Sequence, residues 1–210
     1  MKDKNIVALL GVGGNFKSSL ARELEKLDYI LIPEGNRQFE RNLEKDFDRI
    51  SDPELNYEVK KVLLNSFLRL NFDKFVCDRT LIDYALMNEF IKRILLHYNG
   101  VKSDKISLDL IYNEELKLFN GYSVKRILLT TSDKSFIKAI IDDAFDIRAC
   151  FFDDSDSYFK CQDLYANFIL KNFNNVVHID LNDIPLCEKD SPEILDYIDK
   201  IKDQLLLKIN

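Results

Sequence analysis

The chain has 210 residues, 46% hydrophobic and 31% charged, a length and composition suited to one well-packed globular core. Its formal net charge of −6 gives no global attraction for a polyanion, which disfavours nucleic acid as a partner. No apolar run approaches the roughly 20 residues that a membrane helix needs, so no membrane partner is expected.

In chain order, Asn5 to Leu10 (NIVALL) reads as a buried strand ending at Gly11, and Lys17 to Leu27 as a helix with Leu20, Ala21, Leu24 and Leu27 near helical spacing. Tyr29 to Ile32 is a short strand stopped by Pro33. Pro53 suits a first helical turn, and Leu55, Val59, Val62, Leu63, Phe67 and Leu70 trace a long amphipathic helix behind it. Lys74 to Cys77 is the third strand, Thr80 to Leu96 a helix, and Val124 to Thr130 the fourth strand. Two helices, Phe136 to Ala144 and Tyr158 to Phe173, flank an acidic irregular stretch. Val176 to Leu181 is the fifth strand, and a helix from Pro192 to Leu207 closes the chain. Strands alternating with helices predict an α/β fold with a mostly parallel sheet covered on both faces, as a single domain over residues 1–210.

The charged opening, Met1 to Asn5, has the pattern of neither a signal nor a transit peptide. Cys77, Cys150, Cys161 and Cys187 are scattered without a C-x-x-C pair, and only His97 and His178 could complete a zinc set. Reduced thiols in a cytoplasmic protein are the expectation.

In a parallel sheet the ligand sits beyond the carboxyl ends of the strands, which directs attention to the residues that follow them. After the first strand comes Gly11-Val12-Gly13-Gly14-Asn15-Phe16-Lys17-Ser18-Ser19, opening directly into a helix. Gly11, Lys17 and Ser18 fit the phosphate-loop pattern G-x-x-x-x-G-K-[ST], with Phe16 in place of its second glycine. Gly13 and Gly14 allow backbone amides to turn around a phosphate, and the helix beginning near Lys17 aims its positive end at the same anion. Lys17 can reach the outer phosphates and Ser18 can ligate Mg²⁺. Phe16 is a defect in this reading: its side chain must point away or distort the loop.

The second strand ends at Pro33-Glu34-Gly35-Asn36-Arg37, where Glu34 could take a proton from an attacking hydroxyl. The third ends at Cys77-Asp78-Arg79-Thr80. Asp78 there can hold Mg²⁺ and Arg79 can neutralise a transferring phosphoryl group, while an ordinary helix cap and a surface ion pair are the structural alternatives.

With these motifs in place, the chain resembles the nucleoside and nucleotide kinase branch of P-loop proteins. Deoxynucleoside kinases carry a P-loop, a catalytic glutamate after the second strand and a D-R-S- or E-R-S-type motif after the third, matched here by Gly11 to Ser18, Glu34 and Asp78-Arg79-Thr80. Ribosylnicotinamide-kinase-like proteins carry E-x-x-R and D-R-x-x-x-D segments, matched by Glu34 to Arg37 and Asp78 to Asp83. Thymidylate-type kinases are a weaker likeness.

The resemblance implies a three-layer sandwich with a five-stranded parallel sheet in order 2-3-1-4-5, and a lid between the fourth and fifth strands at about 145–156, where Arg148 is the one arginine. It further implies ATP with Mg²⁺, held by Gly11, Gly13, Gly14, Asn15, Lys17, Ser18 and Ser19 for the nucleotide and by Ser18 and Asp78 for the metal. Lys17, Glu34, Arg79 and Arg148 are the implied catalytic residues. Glu34, Arg37, Arg41, Arg79 and Asp83 are implied on the acceptor side, for a nucleoside or nucleotide such as a deoxynucleoside or its monophosphate. A homodimer is compatible with this reading. Phe16 and the single lid arginine leave room for a nucleotide-binding module without strong catalysis, and a kinase acting on a polynucleotide or modified DNA base is a further variant.

Overall fold

In a computed structural model of the chain, residues 4–34, 53–94, 107–142, 154–187 and 191–209 are described. They contain strands β1 (Asn5–Leu10), β2 (Ile30–Ile32), β3 (Lys74–Asp78), β4 (Ser123–Thr131) and β5 (Val176–Leu181). The helices are α1 (Lys17–Glu25), α2 (Pro53–Leu68), α3 (Leu81–Ile94), α4 (Leu108–Leu118), α5 (Lys134–Asp142), α6 (Ser155–Asn172) and α7 (Pro192–Ile209).

The strands form one parallel sheet in the order β2-β3-β1-β4-β5. β1 is central, and its unbroken apolar run follows from being covered on both faces. Ile6, Ala8 and Leu10 belong to a core shared with α2, α3, α4 and α6, whereas Val7 and Leu9 belong to a second core with α1 and α7. The layers are therefore helix, sheet and helix. Leu9 is in register with Asp78 and Leu10 with Leu128, so the loop that follows β1 has the end of β3 on one side and the end of β4 on the other.

Two elements depart from the sequence expectation. Helix α4 was not anticipated, although Ser107 caps it by accepting a hydrogen bond from Leu110 N at 3.3 Å. Helix α2 forms as expected, with Leu63 and Phe67 of the expected stripe packed against the core, but its most buried line is shifted from that stripe. Tyr57, Lys60, Leu64 and Leu68 are buried, while Leu55, Val62 and Leu70 are 46%, 62% and 43% exposed. The fully buried member of that line that apolar periodicity could not pick out is Lys60.

Of the expected lid at about 145–156, residues 145–153, with Arg148 and Cys150, lie outside the described residues. Its last residues open α6 instead, where Asp154 caps the helix by accepting from Ser157 N at 2.6 Å. Arg37, Arg41 and His97 also lie outside the described residues. Cys77 and Cys161 are buried free thiols, Cys187 is an exposed one, and burial pushes the first two up to about 12. No described helix is long and apolar enough to cross a membrane.

Candidate active site

The loop between β1 and α1 is built around two glycines whose backbone other residues would strain. Gly11 has φ +139°, and a Cβ there would stand 2.3 Å from the Leu129 carbonyl oxygen. Gly14 has φ +87°. Phe16 also takes the left-handed conformation, φ 49° and ψ 13°, as the residue that caps α1. The backbone thus follows the course a glycine would give it, at an intrinsic cost of about 1–2 kcal/mol for an L-residue. The ring leaves the loop and joins an aromatic cluster, stacked on Phe136 at 5.6 Å between centroids and tilted against Tyr197 at 5.8 Å. The expected defect is therefore accommodated: the side chain points away and α5 and α7 receive it.

Helix α6 holds the loop from beneath with residues spaced along one helical face. Tyr165 Oη accepts from Gly11 N at 3.1 Å and donates to Asp83 Oδ1 at 2.5 Å. Tyr158 Oη lies 2.9 Å from Gly13 O and 3.0 Å from Asn15 Oδ1. Asn15 is buried and its Nδ2 donates to Leu129 O at 2.9 Å, so its side chain braces the loop against β4. Gln162 pairs with both backbone groups of Thr131, accepting from its N at 2.9 Å and donating to its O at 2.8 Å. Burial raises the Tyr158 and Tyr165 hydroxyls well above the usual range, so both remain protonated donors.

Lys17 is buried, and its ammonium donates to Val12 O at 2.5 Å across the loop. Burial, reinforced by the Arg79 charge, draws its pKa down to about 7 against the opposing pull of Asp83, Asp78 and Glu34. A lysine so poised gains from an added anion. Ser18 and Ser19 lie in the first turn of α1, where amides have no helical partner.

Opposite the loop, Arg79 follows β3 with φ 67°, and its own amide extends the ladder to Leu9 O at 3.2 Å. Its Nε lies 2.5 Å from Glu34 Oε1 and one terminal nitrogen donates to Gly11 O at 3.4 Å. Burial opposes the charge of Arg79, but Glu34 and Asp83 outweigh it and raise its pKa. Arg79 is thus a largely enclosed bridge from the end of β2 to the start of the loop rather than a surface pair.

Asp83, expected on the acceptor side, is completely buried. One oxygen accepts from Thr80 N at 2.8 Å at the start of α3, and the other receives the Tyr165 hydroxyl. Burial moves its carboxyl upward, against Arg79, Tyr165 and Thr80. Glu115 of α4, also buried, accepts from Ile82 N at 2.8 Å and faces Arg126 at 3.4 Å. These two carboxylates hold the turn that carries Arg79.

Asp78 Oδ1 is buried at the end of β3 without a hydrogen-bond partner among the described residues. An orphaned carboxylate oxygen is expensive unless something comes to it, and a cation beside the loop fits that need. Among the described residues no group of three or more His, Cys, Asp or Glu could hold a metal.

No sequence motif singles out Lys60, Glu115, Tyr158, Gln162 or Tyr165 for the site. The i, i+4, i+7 spacing of Tyr158, Gln162 and Tyr165 was a readable signal, because polar-tipped residues along a buried helical stripe must find partners.

No family model and no curated protein matches the sequence. Solved structures do match the fold. Deoxyadenosine kinase from M. mycoides with bound dATP has a TM-score of 0.56 at 16% identity, over 96% of this chain and 99% of that one. The YorR protein from Bacillus subtilis, in complex with phosphorylated GDP, has 0.51 at 16%, over 96% and 94%. A putative kinase from Chloroflexus aurantiacus has 0.53 at 10%, over the whole of both chains. The chain has a P-loop kinase-like fold, with the anticipated strand order.

Proposed function

We propose that the chain is an ATP-dependent phosphotransferase for a small nucleoside- or nucleotide-like acceptor. One observation carries this reading: Glu34 at the end of β2 and Arg79 at the end of β3 meet at 2.5 Å, and Arg79 reaches on to Gly11 of the loop. A carboxylate, a cation and a phosphate loop drawn from separate strand ends converge on one spot. The nucleotides bound in the deoxyadenosine kinase and YorR structures support the same reading.

In this mechanism the amides from Gly13, Gly14, Asn15, Lys17, Ser18 and Ser19 surround the ATP phosphates, Gly11 supplies the turn into the loop with its own amide held by Tyr165, and the Lys17 ammonium leaves Val12 O for the outer phosphates. Ser18 and Asp78 would hold Mg²⁺, which neutralises charge on the phosphate oxygens. Glu34 accepts the proton of the acceptor hydroxyl as its oxygen bonds to the terminal phosphorus and the bond to ADP breaks. Arg79 stabilises the charge on the phosphoryl oxygens in flight. Arg148 is assigned the same task from the lid, and Arg37 and Arg41 the clamping of an already anionic nucleotide acceptor. Asp83 acts one step back, by fixing Arg79 and Tyr165.

The test is ATP turnover over a panel of deoxynucleosides, ribosylnicotinamide and nucleoside monophosphates, with Mg²⁺. At least one acceptor is expected to be phosphorylated at a rate that Glu34→Gln lowers. Absence of transfer to every acceptor would overturn the reading.

A further inference from the structure

Lys60 lies on the inward face of α2 between Tyr57 and Leu64 and has no exposed surface. Its ammonium has three protons, and the structure supplies three carbonyl acceptors: Ile32 O at 3.2 Å, Pro33 O at 2.7 Å and Asp78 O at 2.8 Å. All three are at the carboxyl ends of β2 and β3. Pro33 O belongs to the peptide unit that enters Glu34, and Asp78 O to the one that enters Arg79. The two residues that form the 2.5 Å ion pair are each preceded by a carbonyl that Lys60 holds.

The demand for such a device is visible in the backbone. Arg79 sits in the left-handed region at φ 67°, a conformation that persists only where its surroundings enforce it. Its peptide unit is gripped on both sides, by Lys60 at the Asp78 carbonyl and by Leu9 O at the Arg79 amide. Pro33 provides no amide proton, so the ladder of β2 stops there, and the Ile32 and Pro33 carbonyls accept from Lys60. A buried ammonium is costly unless fully bonded, and mere packing against Tyr57, Leu64 and Leu68 needs no charge. Burial draws the Lys60 pKa down, while Cys77, Asp78, Glu34 and Asp83 pull it back up.

We infer that Lys60 is a positioning residue that ties the ends of β2 and β3 together and so sets the Glu34–Arg79 pair over the phosphate loop. The inference rests on the phosphotransfer reading for its catalytic consequence, though not for its geometry.

The experiment is a double-variant cycle in the full chain, with parent, Lys60→Met, Glu34→Gln and the combination compared for turnover, ATP·Mg²⁺ affinity and urea midpoint. Lys60→Met is expected to lower kcat about 10- to 100-fold with KM for ATP within about threefold, since the donor side keeps its own braces. In the Glu34→Gln background the same change should cost at least about threefold less than in the parent, because the carboxylate no longer takes a proton and only the positioning of Arg79 is left to lose. An equal loss in both backgrounds, or a kcat within threefold of the parent, overturns the assignment. If Lys60→Met does not fold, Lys60→Gln, which keeps two donors, goes through the same cycle. If the parent itself phosphorylates nothing, the kinase reading fails separately, and Lys60 is judged from urea unfolding of Lys60→Met, Arg79→Leu and their combination. Non-additivity of more than about threefold in the unfolding constant sustains the coupling, and additivity removes it.

Discussion

Replacing Phe16 by glycine and by alanine separates two effects that the loop combines. The ring is half-buried against Phe136 and Tyr197, and two aromatic contacts contribute about 0.5–1.5 kcal/mol each beyond the area they cover. Half-burial of the side chain adds roughly 1 kcal/mol. Truncation to alanine removes all of this, about 2–4 kcal/mol, and leaves a Cβ in the left-handed region at φ 49°. Glycine loses the same contacts but is released from that strain. After allowance for its extra freedom in the unfolded chain, it should be more stable than alanine by about 0.5–1 kcal/mol. Urea unfolding with equal slopes reads the order directly, and the expectation is parent above glycine above alanine. Titration of ATP·Mg²⁺ alongside should place the glycine variant within about threefold of the parent, because the loop backbone keeps its course. An alanine variant as stable as the glycine one, or both within 0.5 kcal/mol of the parent, would refute the account of Phe16 as a strained residue held outward by its ring.

Glu34→Gln should lower turnover by about 10²- to 10⁴-fold with ATP affinity hardly changed; joint loss of affinity and Mg²⁺ dependence would make Glu34 a metal-side residue instead. Tyr165→Phe should destabilise the chain by about 1–3 kcal/mol in chemical unfolding, since the Gly11 amide and the Asp83 carboxylate lose one shared partner. The depressed pKa of Lys17 fixes a pH signature for the nucleotide-free protein. The unfolded chain holds the proton up to about 10.4 and the folded chain gives it up near 7, so Lys17 destabilises fully below 7 and progressively less as pH rises between the two. Lys17→Met should therefore exceed the parent in stability at pH 6 by more than at pH 9, and a gap that does not narrow with pH would contradict a buried, poorly solvated ammonium.

The sheet was legible because its strands are continuous apolar runs ending at Gly11, Pro33 and Asp78, and because parallel topology directs ligands to those ends. The bracing of the site was not legible, for a physical reason common to each case. Lys60 counts as polar in any apolar pattern, so the apolar stripe of α2 finds Leu63 and Phe67 but misses the most buried line beside them. Its stem behaves as a core residue and only its tip seeks the strand carbonyls. Glu115 was hidden within α4, whose buried positions Ile111 and Glu115 are too few to make a stripe. Asp83 matches a binding motif by spacing, yet a carboxylate three residues after Thr80 can equally accept the Thr80 amide, and the buried Asp83 does so. Phe16 was read as a flaw because the pattern specifies a residue type, whereas the loop requires a conformation, and the neighbouring rings enable phenylalanine to adopt it.

Isothermal titration of ATP·Mg²⁺ into the parent chain and into Lys17→Ala tests the phosphate loop most directly. Saturable one-site binding in the parent and its loss in the alanine variant, with both proteins folded, is the predicted result. Absence of binding to the parent at millimolar ATP, or equal binding to both, would contradict a phosphate site at residues 11–18.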